Sequence, residues 1–525
     1  MTKRLLIAVC AMVGLGCFGL LFYRGSVALE NSADSHWLFY LYDNYFPGPS
    51  EILYLPGHIF AVKLPFLLPV FKVFGYNHFT YSLTNVVSDA IWLVACVGII
   101  AYFHRRDTSL SARVAVFAAL ATSSWQLLYF TGVSTMRGGE FGLAYVLLLL
   151  CARYLTAKDD SRQTGALGLL GVCGFALILS DEFFLVAYAL PVVCLAALIC
   201  AAYVRHEIEP AVVKRAIILA LIVTLSGIAG SGLLKMAGGQ SNLPVVIATN
   251  ADFTFNTFEG LGKSAALAAW GIIDLLGGDV WGKTPSAAVG LQILVMLAGL
   301  AGFAMATRHL LRRLTLADAW TFGDATRLRN EYFLFLLCGG FGFTLLAYVG
   351  TSLSTDYWSL RYLAAAPLTV GLFCALSLEW PSRGRLATPV IVACALVVLA
   401  NTHRLSTELL ARAPDMTYYN ALSRIIEDNR VKVGYAGYWN SFSTASLTPA
   451  DDLIIPVSGC APMRYIGTQS MFSRPPEFLL VDRSGDNARF WKDCADEQLV
   501  QLYGPPKKTY LLNNGTDAVE VRILK

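Results

Sequence analysis

The stretch "MRGGEFGLAYVLLLLCARYL", Met136 to Leu155, places two charged residues directly before a long apolar run. In a window of about 19 residues, the apolar part is typical of a membrane span over residues 141–156. Charged groups beside a bilayer are costly and tend to be functional. The stretch therefore predicts a membrane helix that begins beside a polar site.

The whole chain shares this apolar character. Of its 525 residues, 56% are hydrophobic and only 14% are charged, with a mean hydropathy of +0.56. This composition excludes a soluble globular protein. We find no P-loop, no dinucleotide-binding glycine motif, no zinc-type cysteine spacing and no repeat array. The pattern predicts eleven spans: 5–23, 82–103, 114–131, 141–156, 164–180, 183–203, 216–235, 287–306, 331–352, 362–379 and 386–402.

Lysine and arginine residues recur in every second short loop and precede the first span. Because cytoplasmic loops are rich in these residues, we expect a cytoplasmic N-terminus. Eleven spans then place the tail outside. We predict a polytopic α-helical membrane domain over residues 1–402 and an extracytoplasmic α/β domain over residues 403–525, in a bacterial inner (plasma) membrane.

The tail alternates helical and strand patterns bounded by Gly and Pro, which predicts a small α/β fold. Its helix "MTYYNALSRIIEDN" precedes the strands "RVKVGYAGYW", "DDLIIPVSG" and "PEFLLVDR". Cys460 and Cys494 are the two cysteines of the tail. An isolated pair in an oxidising compartment favours a disulfide, and two unpaired buried thiols are the alternative.

Charged residues recur at four places on the predicted outer face, beside aromatic residues. Because they share one membrane face, we expect them to contribute to one site. They are Glu30, Asp34, His36 and Asp43 after the first span, Arg137 and Glu140 between the third and fourth, Asp181 and Glu182 between the fifth and sixth, and Asp356 and Arg361 between the ninth and tenth.

These residue types suit group transfer from a lipid-linked phosphate. A carboxylate can deprotonate an acceptor hydroxyl as a general base. An arginine can hold a phosphate through bidentate hydrogen bonds. At the lipid–water boundary, the substrate's tail can stay in the bilayer while its polar head reaches the site. No nucleotide is available outside the cell, which favours a lipid-linked donor.

This layout resembles the GT-C class of membrane glycosyltransferases, which use polyprenyl-phosphate sugars and include protein O-mannosyltransferases and lipid A aminoarabinose transferases. In that class an acidic residue lies in the first outer loop, and here "ENSADSHWLFYLYDNYF" supplies Asp34. Met136–Leu155 matches the polar motif where span 4 begins, and "LSDEFFLVAYALP" matches the polar turn before span 6. The consecutive Asp-Glu pair that O-mannosyltransferases carry in the first loop is not found here.

The resemblance implies an inverting displacement of a polyprenyl phosphate from a sugar. Asp34 would deprotonate the acceptor, a cell-envelope glycan, lipid or protein, and Arg137 or Arg361 would stabilise the leaving phosphate. Lys63 or Lys72 could also contact the phosphate, although interfacial lysines commonly snorkel. No metal, other cofactor or nucleic acid is predicted. The remaining candidates for binding sugar or acceptor, or for orienting the arginines, are Glu140, Asp181, Glu182, Asp356 and His36.

Several alternatives stay open at this point. Asp34 could be a helix N-cap, and Arg137 could pair with Glu140 one turn away. Asp356 and Arg361 could likewise form a salt bridge that fixes a loop. A lipid-linked glycan polymerase, a flippase or a transporter is the alternative function. A transporter would place its charges near the middle of the membrane, in broken helices and paired halves.

Overall fold

The computed structural model gives the architecture of most of the chain. It describes residues 16–21, 52–55, 61–75, 78–105, 107, 109–132, 137–157, 163–205, 208–239, 245–247, 254–278, 287–315, 325–354, 357–377, 387–410, 416–448, 453–464, 467–484, 486–514 and 517–525.

Helices dominate up to Leu410, with π-helical turns at Leu185–Ala189 and Asp274–Gly278 and a 3₁₀ turn at Tyr357–Leu363. In chain order the α-helices are α1 (Leu64–Phe74), α2 (His78–His104), α3 (Leu110–Ala121), α4 (Trp125–Gly132), α5 (Gly138–Leu155), α6 (Thr164–Ser180), α7 (Leu190–Val204), α8 (Pro210–Gly239), α9 (Phe258–Ile273), α10 (Ala287–Thr315), α11 (Ala325–Gly350), α12 (Ala365–Ser377) and α13 (Ala387–Leu410).

Eight segments among the described residues are long and apolar enough to cross a membrane, and two further apolar helices, α3 and α6, are shorter. Ten of the eleven predicted spans overlap these segments; the first, 5–23, lies mostly outside the described residues. The predicted class, a polytopic helical membrane protein, is confirmed, and the count of eleven stays a prediction. The eight segments are Leu83–His104, Gly138–Leu155, Leu185–Val204, Pro210–Ala237, Val289–Arg312, Arg327–Gly350, Ser359–Ser377 and Thr388–Leu410.

The span predicted over residues 114–131 is not one continuous helix. The chain is helical up to Ala121 and again from Trp125, with a break between them. Ser123 and Ser124 lie in the break, and each donates a 3.0 Å hydrogen bond to the Leu275 carbonyl. Serine hydroxyls offer the backbone alternatives to a regular helix, and the hydropathy window averages over so short a polar segment.

Glycines let α5 approach α2 and α4 closely at the end where Arg137 and Glu140 lie. A Cβ on Gly138 would lie 1.6 Å from the Thr131 carbonyl oxygen, and one on Gly142 would lie 2.7 Å from the Trp92 Cα. Only glycine fits so close to another backbone, as in small-residue packing of membrane helices. The "GGEFG" sequence therefore fixes the start of α5.

The tail contains α14 (Met416–Asn429), α15 (Tyr438–Leu447), α16 (Gln469–Phe472), a 3₁₀ turn (Asp486–Trp491) and α17 (Asp496–Tyr503). The strands of the whole chain are numbered together. They are β1 (Leu53–Leu55), β2 (Val245–Ile247), β3 (Val433–Gly437), β4 (Leu453–Ser458), β5 (Ala461–Pro462), β6 (Gly467–Thr468), β7 (Phe478–Asp482), β8 (Lys508–Asn514) and β9 (Asp517–Ile523).

Six of these strands form one mixed sheet in the order β5-β4-β3-β7-β9-β8. Strands β4 and β7 pair in parallel with β3, and β9 pairs antiparallel with both β7 and β8. Tyr419 and Leu422 of α14 belong to one apolar cluster of the tail, and Trp491 and Leu499 belong to a second. The predicted α/β tail is thus present, with the predicted strands in place and α15 and α16 as additional helices.

A disulfide joins Cys460 to Cys494, with their Cα atoms 5.2 Å apart. Cys460 lies in the turn between β4 and β5, and Cys494 lies two residues before α17. The bond therefore ties one edge of the sheet to the last helix of the tail. The alternative of two unpaired buried thiols is wrong in this structure.

Candidate active site

The site begins where α1 meets α5. Lys63, at the N-cap of α1, lies with its Nζ 3.2 Å from Oε2 of Glu140 in the first turn of α5. Each side chain is only 1% exposed. The aliphatic part of the Lys63 side chain packs against Gly139, since a Cβ on Gly139 would lie 3.3 Å from two carbons of the lysine. Lys63 therefore does not snorkel to water, and Glu140 does not pair with Arg137.

A second buried ion pair lies beside the first. Nε of Arg137 lies 2.5 Å from Oδ2 of Asp181, and its Nη2 contacts the same oxygen. The other carboxylate oxygen of Asp181 accepts a 2.9 Å hydrogen bond from the backbone N–H of Phe183. The expectation that Arg137 pairs with Glu140 is wrong, because the C-terminal end of α6 brings Asp181 to the arginine.

A backbone contact links the two pairs. The N–H of Val62, next to Lys63, donates a 2.9 Å hydrogen bond to the hydroxyl of Ser180, next to Asp181. The starts of α1 and α5 and the end of α6 therefore converge. Arg137, Glu140 and Asp181, three of the predicted site residues, are brought together, and Lys63 joins them.

Arg361 approaches the same place through aromatic contacts. Its guanidinium carbon lies 5.4 Å from the centre of the Tyr362 ring, and that of Arg137 lies 4.6 Å from the same centre. The Phe183 ring lies 5.6 Å from the Arg137 guanidinium and 5.6 Å from the Tyr362 ring. Cations near aromatic rings are attracted electrostatically, which holds both guanidinium groups in defined positions.

The other predicted residues have different positions. Glu182 accepts a hydrogen bond from the Ser231 hydroxyl of α8, so it points away from Asp181 toward another helix. Asp34, His36 and Asp356 lie outside the described residues. Whether Asp34 is an N-cap or a general base is therefore not decided by this structure.

The described charges of the site comprise three cations, Lys63, Arg137 and Arg361, and two carboxylates, Glu140 and Asp181. Lys63 and Arg137 form buried ion pairs with these carboxylates, and Arg361 lies beside Arg137 at the Tyr362 ring. Removing charged groups from water costs several kcal/mol per ion, so such pairs rarely persist for stability alone. A site in which two arginines are held in place suits a bound anion such as a phosphate.

The sequence alone did not predict the contacts of Lys63 and Tyr362 within the site. The pairing of Lys63 with Glu140 joins residues 77 positions apart, as their numbers show. Tyr362 is one of many aromatic residues in the sequence, and its contacts with Arg137 and Arg361 arise only in the folded structure. The adjacency of Arg361 to an aromatic residue was visible in the sequence, but its second arginine partner was not.

Within the part of the chain that the structure describes, no group of three or more His, Cys, Asp or Glu residues could hold a metal ion. The absence of a metal requirement stays a prediction.

The helical membrane region, the charged site at helix ends and the α/β tail together define a membrane protein with the GT-C type of fold. A solved structure with this fold is that of ArnT from Cupriavidus metallidurans bound to undecaprenyl phosphate. The similarity has a TM-score of 0.51, at 10% sequence identity, and covers 99% of this chain and 97% of that chain. No protein-family model matches the sequence, and no curated protein matches it. The GT-C fold predicted from the sequence is thereby confirmed.

Proposed function

We propose that this protein is a glycosyltransferase that moves a sugar from a polyprenyl-phosphate donor to an acceptor hydroxyl at the outer face of a bacterial inner membrane. The observation that carries the proposal is the pair of arginines around Tyr362, beside two buried ion pairs, in a GT-C fold. The structural neighbour ArnT was solved with undecaprenyl phosphate bound, which supports a polyprenyl phosphate as the lipid here.

The proposed reaction is a single displacement with inversion. Asp34 takes the proton of the acceptor hydroxyl, whose oxygen then attacks the anomeric carbon of the donor. The bond from that carbon to the phosphate oxygen breaks, and the polyprenyl phosphate leaves with the electron pair. An ionised carboxylate can accept this proton as a general base.

Negative charge develops on the leaving phosphate, and fixed cations stabilise it most effectively when they are already in place. Asp181 uses two donors of Arg137, which makes Arg137 a rigid part of the site wall. We assign contact with the leaving phosphate to Arg361, which lies beside Arg137 at the Tyr362 ring, with Lys63 as a second candidate. Glu140, Asp181, Glu182, Asp356 and His36 hold the cations or contact the sugar and the acceptor.

The topology is part of the proposal. We infer a cytoplasmic N-terminus and an extracytoplasmic tail, because arginines and lysines fill alternate loops. The disulfide of the tail suits an oxidising compartment. The site residues at the starts of α1 and α5 then face outward, where a lipid-linked donor is available.

The test is consumption of a donor by the purified protein in lipid nanodiscs. The probes are undecaprenyl-phosphate sugars with different sugars, and the readout is release of undecaprenyl phosphate. We expect release by the wild type and by Arg327→Ala, which removes an exposed arginine with a Glu331 partner. Arg361→Ala should bind undecaprenyl phosphate more weakly and turn over more slowly, since a charge-assisted contact is lost.

No release with any donor, together with equal lipid binding by Arg361→Ala and Arg327→Ala, would reject the glycosyltransferase assignment. Transbilayer movement of a lipid-linked glycan without release of the phosphate would support a flippase instead.

A further inference from the structure

Three strands that are far apart in the sequence form a small second sheet. Strand β1, from the loop before α1, pairs in parallel with β2, from the segment after α8. On its other side β1 pairs antiparallel with β6 of the tail, where Leu53 is opposite Thr468. The backbone of the first loop is therefore held on one side by the membrane region and on the other by the tail.

Tyr54 in the middle of β1 inserts into the tail. Its hydroxyl donates a 2.6 Å hydrogen bond to Oε1 of Gln469, and its ring packs edge-on against Phe472 with the centres 5.5 Å apart. The backbone N–H of Gln469 donates a 2.9 Å hydrogen bond to the Ile52 carbonyl. The side chain of Tyr54 also joins the apolar cluster that contains Trp491. One tyrosine therefore binds the loop to the tail by both apolar and polar contacts.

The other end of the same segment is the candidate site. Leu55 at the end of β1 and Lys63 are only eight positions apart, a length that spans at most about 29 Å when fully extended. At that end the Val62 N–H bonds to Ser180 and Lys63 bonds to Glu140. The segment is thus a short connection that is attached to the tail at one end and to the buried ion pairs at the other.

We propose that Tyr54 and Gln469 are positioning residues, through which the tail holds the first loop so that Lys63 stays buried against Glu140. The tail then contributes to donor binding without touching the donor. The link to donor binding rests on the proposed function, whereas the link to Lys63 does not.

The first experiment measures protection of Lys63 and needs no substrate. Full-length protein in nanodiscs is treated with a small amine-reactive reagent, and the Lys63 peptide is quantified by mass spectrometry. The buried ammonium of the wild type should react slowly. Tyr54→Ala should react at least tenfold faster, because the loop loses its anchor. Tyr54→Phe, which keeps the ring and loses the hydroxyl, should lie between the two.

The matched control is Tyr510→Ala. Tyr510 is a tyrosine of the tail that, like Tyr54, has an amide partner, since its hydroxyl accepts a 3.2 Å hydrogen bond from Nδ2 of Asn429. It lies on β8, at the opposite edge of the tail sheet from β5. This variant should leave Lys63 as protected as in the wild type. Equal protection in Tyr54→Ala and Tyr510→Ala would overturn the proposal.

The second experiment separates positioning from general loss of structure. Tyr54→Ala and Gln469→Ala should raise the KM for the undecaprenyl-phosphate sugar at least fivefold, with a smaller change in kcat and an unchanged unfolding midpoint of the tail. Tyr54→Phe should recover most of the KM. A wild type without turnover would count against the proposed function alone, because Lys63 labelling still decides the positioning role. Faster labelling with an unchanged KM would overturn the link to donor binding.

Discussion

The membrane site and the tail both contain clusters of opposite charges, but the ion pairs of the two clusters differ in exposure. Lys63 and Glu140 are each 1% exposed and lie among apolar helices. In the tail, Arg483, Asp496, Glu520 and Arg522 form a connected network in which the Asp496 side chain is 56% exposed.

This difference in exposure indicates a functional role for the buried charges of the membrane site and a modest stabilising role for the charges of the tail. Exposed ion pairs are screened by water and salt and typically contribute about 0–1 kcal/mol. Buried pairs carry a desolvation cost that their attraction often only just offsets, and well-packed apolar residues of similar volume can replace them. Two adjacent buried ion pairs at helix ends of a membrane protein therefore indicate that these charges have a function. The tail network needs no such explanation.

The largest effect should come from matched Asp→Asn changes in the two regions. Asp34→Asn keeps the shape of the side chain but removes its ability to take a proton, so turnover should fall by about 10²- to 10⁴-fold. Asp496→Asn in the exposed tail network should leave turnover unchanged. The measurement is the initial rate of undecaprenyl phosphate release at saturating donor.

An N-cap role for Asp34 predicts a different result, because asparagine caps a helix about as well as aspartate. Turnover of Asp34→Asn within threefold of the wild type would remove it from the mechanism. The base would then be sought among Glu30, Asp43, Asp181 and Glu182.

The second prediction compares the stability of the two kinds of charge cluster. Glu140→Gln leaves the Lys63 ammonium buried without its counter-charge, which typically costs about 3–5 kcal/mol. Glu520→Gln in the tail should cost at most about 1 kcal/mol. Thermal and denaturant-induced unfolding of the purified proteins in detergent measures the loss of stability in both variants. The double variant Lys63→Met with Glu140→Leu should recover much of the stability but none of the activity.

The sequence was a good guide wherever a local pattern decides the structure. Apolar runs located the membrane helices, and short apolar runs between turns located β3, β4 and β7 of the tail. The turn at Asp181 and the start of α5 at Arg137 were both recognised as polar places on one face.

The sequence did not show which charges pair. Local spacing favours Arg137 with Glu140, three residues apart, because side chains at that separation meet on a helix. The structure pairs Arg137 with Asp181, 44 residues away, because α5 and α6 pack side by side. Strand β1 was missed for a related reason. Three residues are too few to show an alternating pattern, and its partners β2 and β6 come from distant parts of the chain.

The third prediction concerns the disulfide, which distinguishes the tail from the membrane region chemically. Cys460→Ser opens a loop closed over a sequence separation of 34 and should lower the free energy of unfolding of the tail by about 2 to 4 kcal/mol. Reductant should have the same effect on the wild type and no further effect on the variant. Cys173→Ser, a free cysteine of α6, serves as the control and should leave the tail transition unchanged. A reductant-insensitive tail would contradict the prediction.

The smallest effect should be the acid sensitivity of the partly exposed tail network. Hydrogen bonds from Arg483, followed by those from Arg522, lower the pKa of Asp496 below its usual value. For Glu520, burial acts to raise the pKa, but hydrogen bonds from Arg522 and Arg483 outweigh it, so this pKa is also lowered. Both carboxylates are therefore more acidic in the folded tail than in the unfolded chain.

A carboxylate whose pKa is lowered by folding stabilises the fold above its unfolded pKa, which is about 4 for Asp and Glu. This contribution is fully present at neutral pH and is lost as the pH falls through the lower folded values. We expect the free energy of unfolding of the tail to fall by up to about 1 kcal/mol as the pH is lowered from 5, because this network loses its contribution and exposed ion pairs are weak. Asp496→Asn should flatten that part of the stability profile, measured by denaturant unfolding at each pH. An equally steep profile in Asp496→Asn and the wild type would show that Asp496 does not contribute to the pH dependence. Salt at 1 M should weaken the network in the wild type, and less in Asp496→Asn, which keeps only the Glu520 pairs, because salt screens exposed charges.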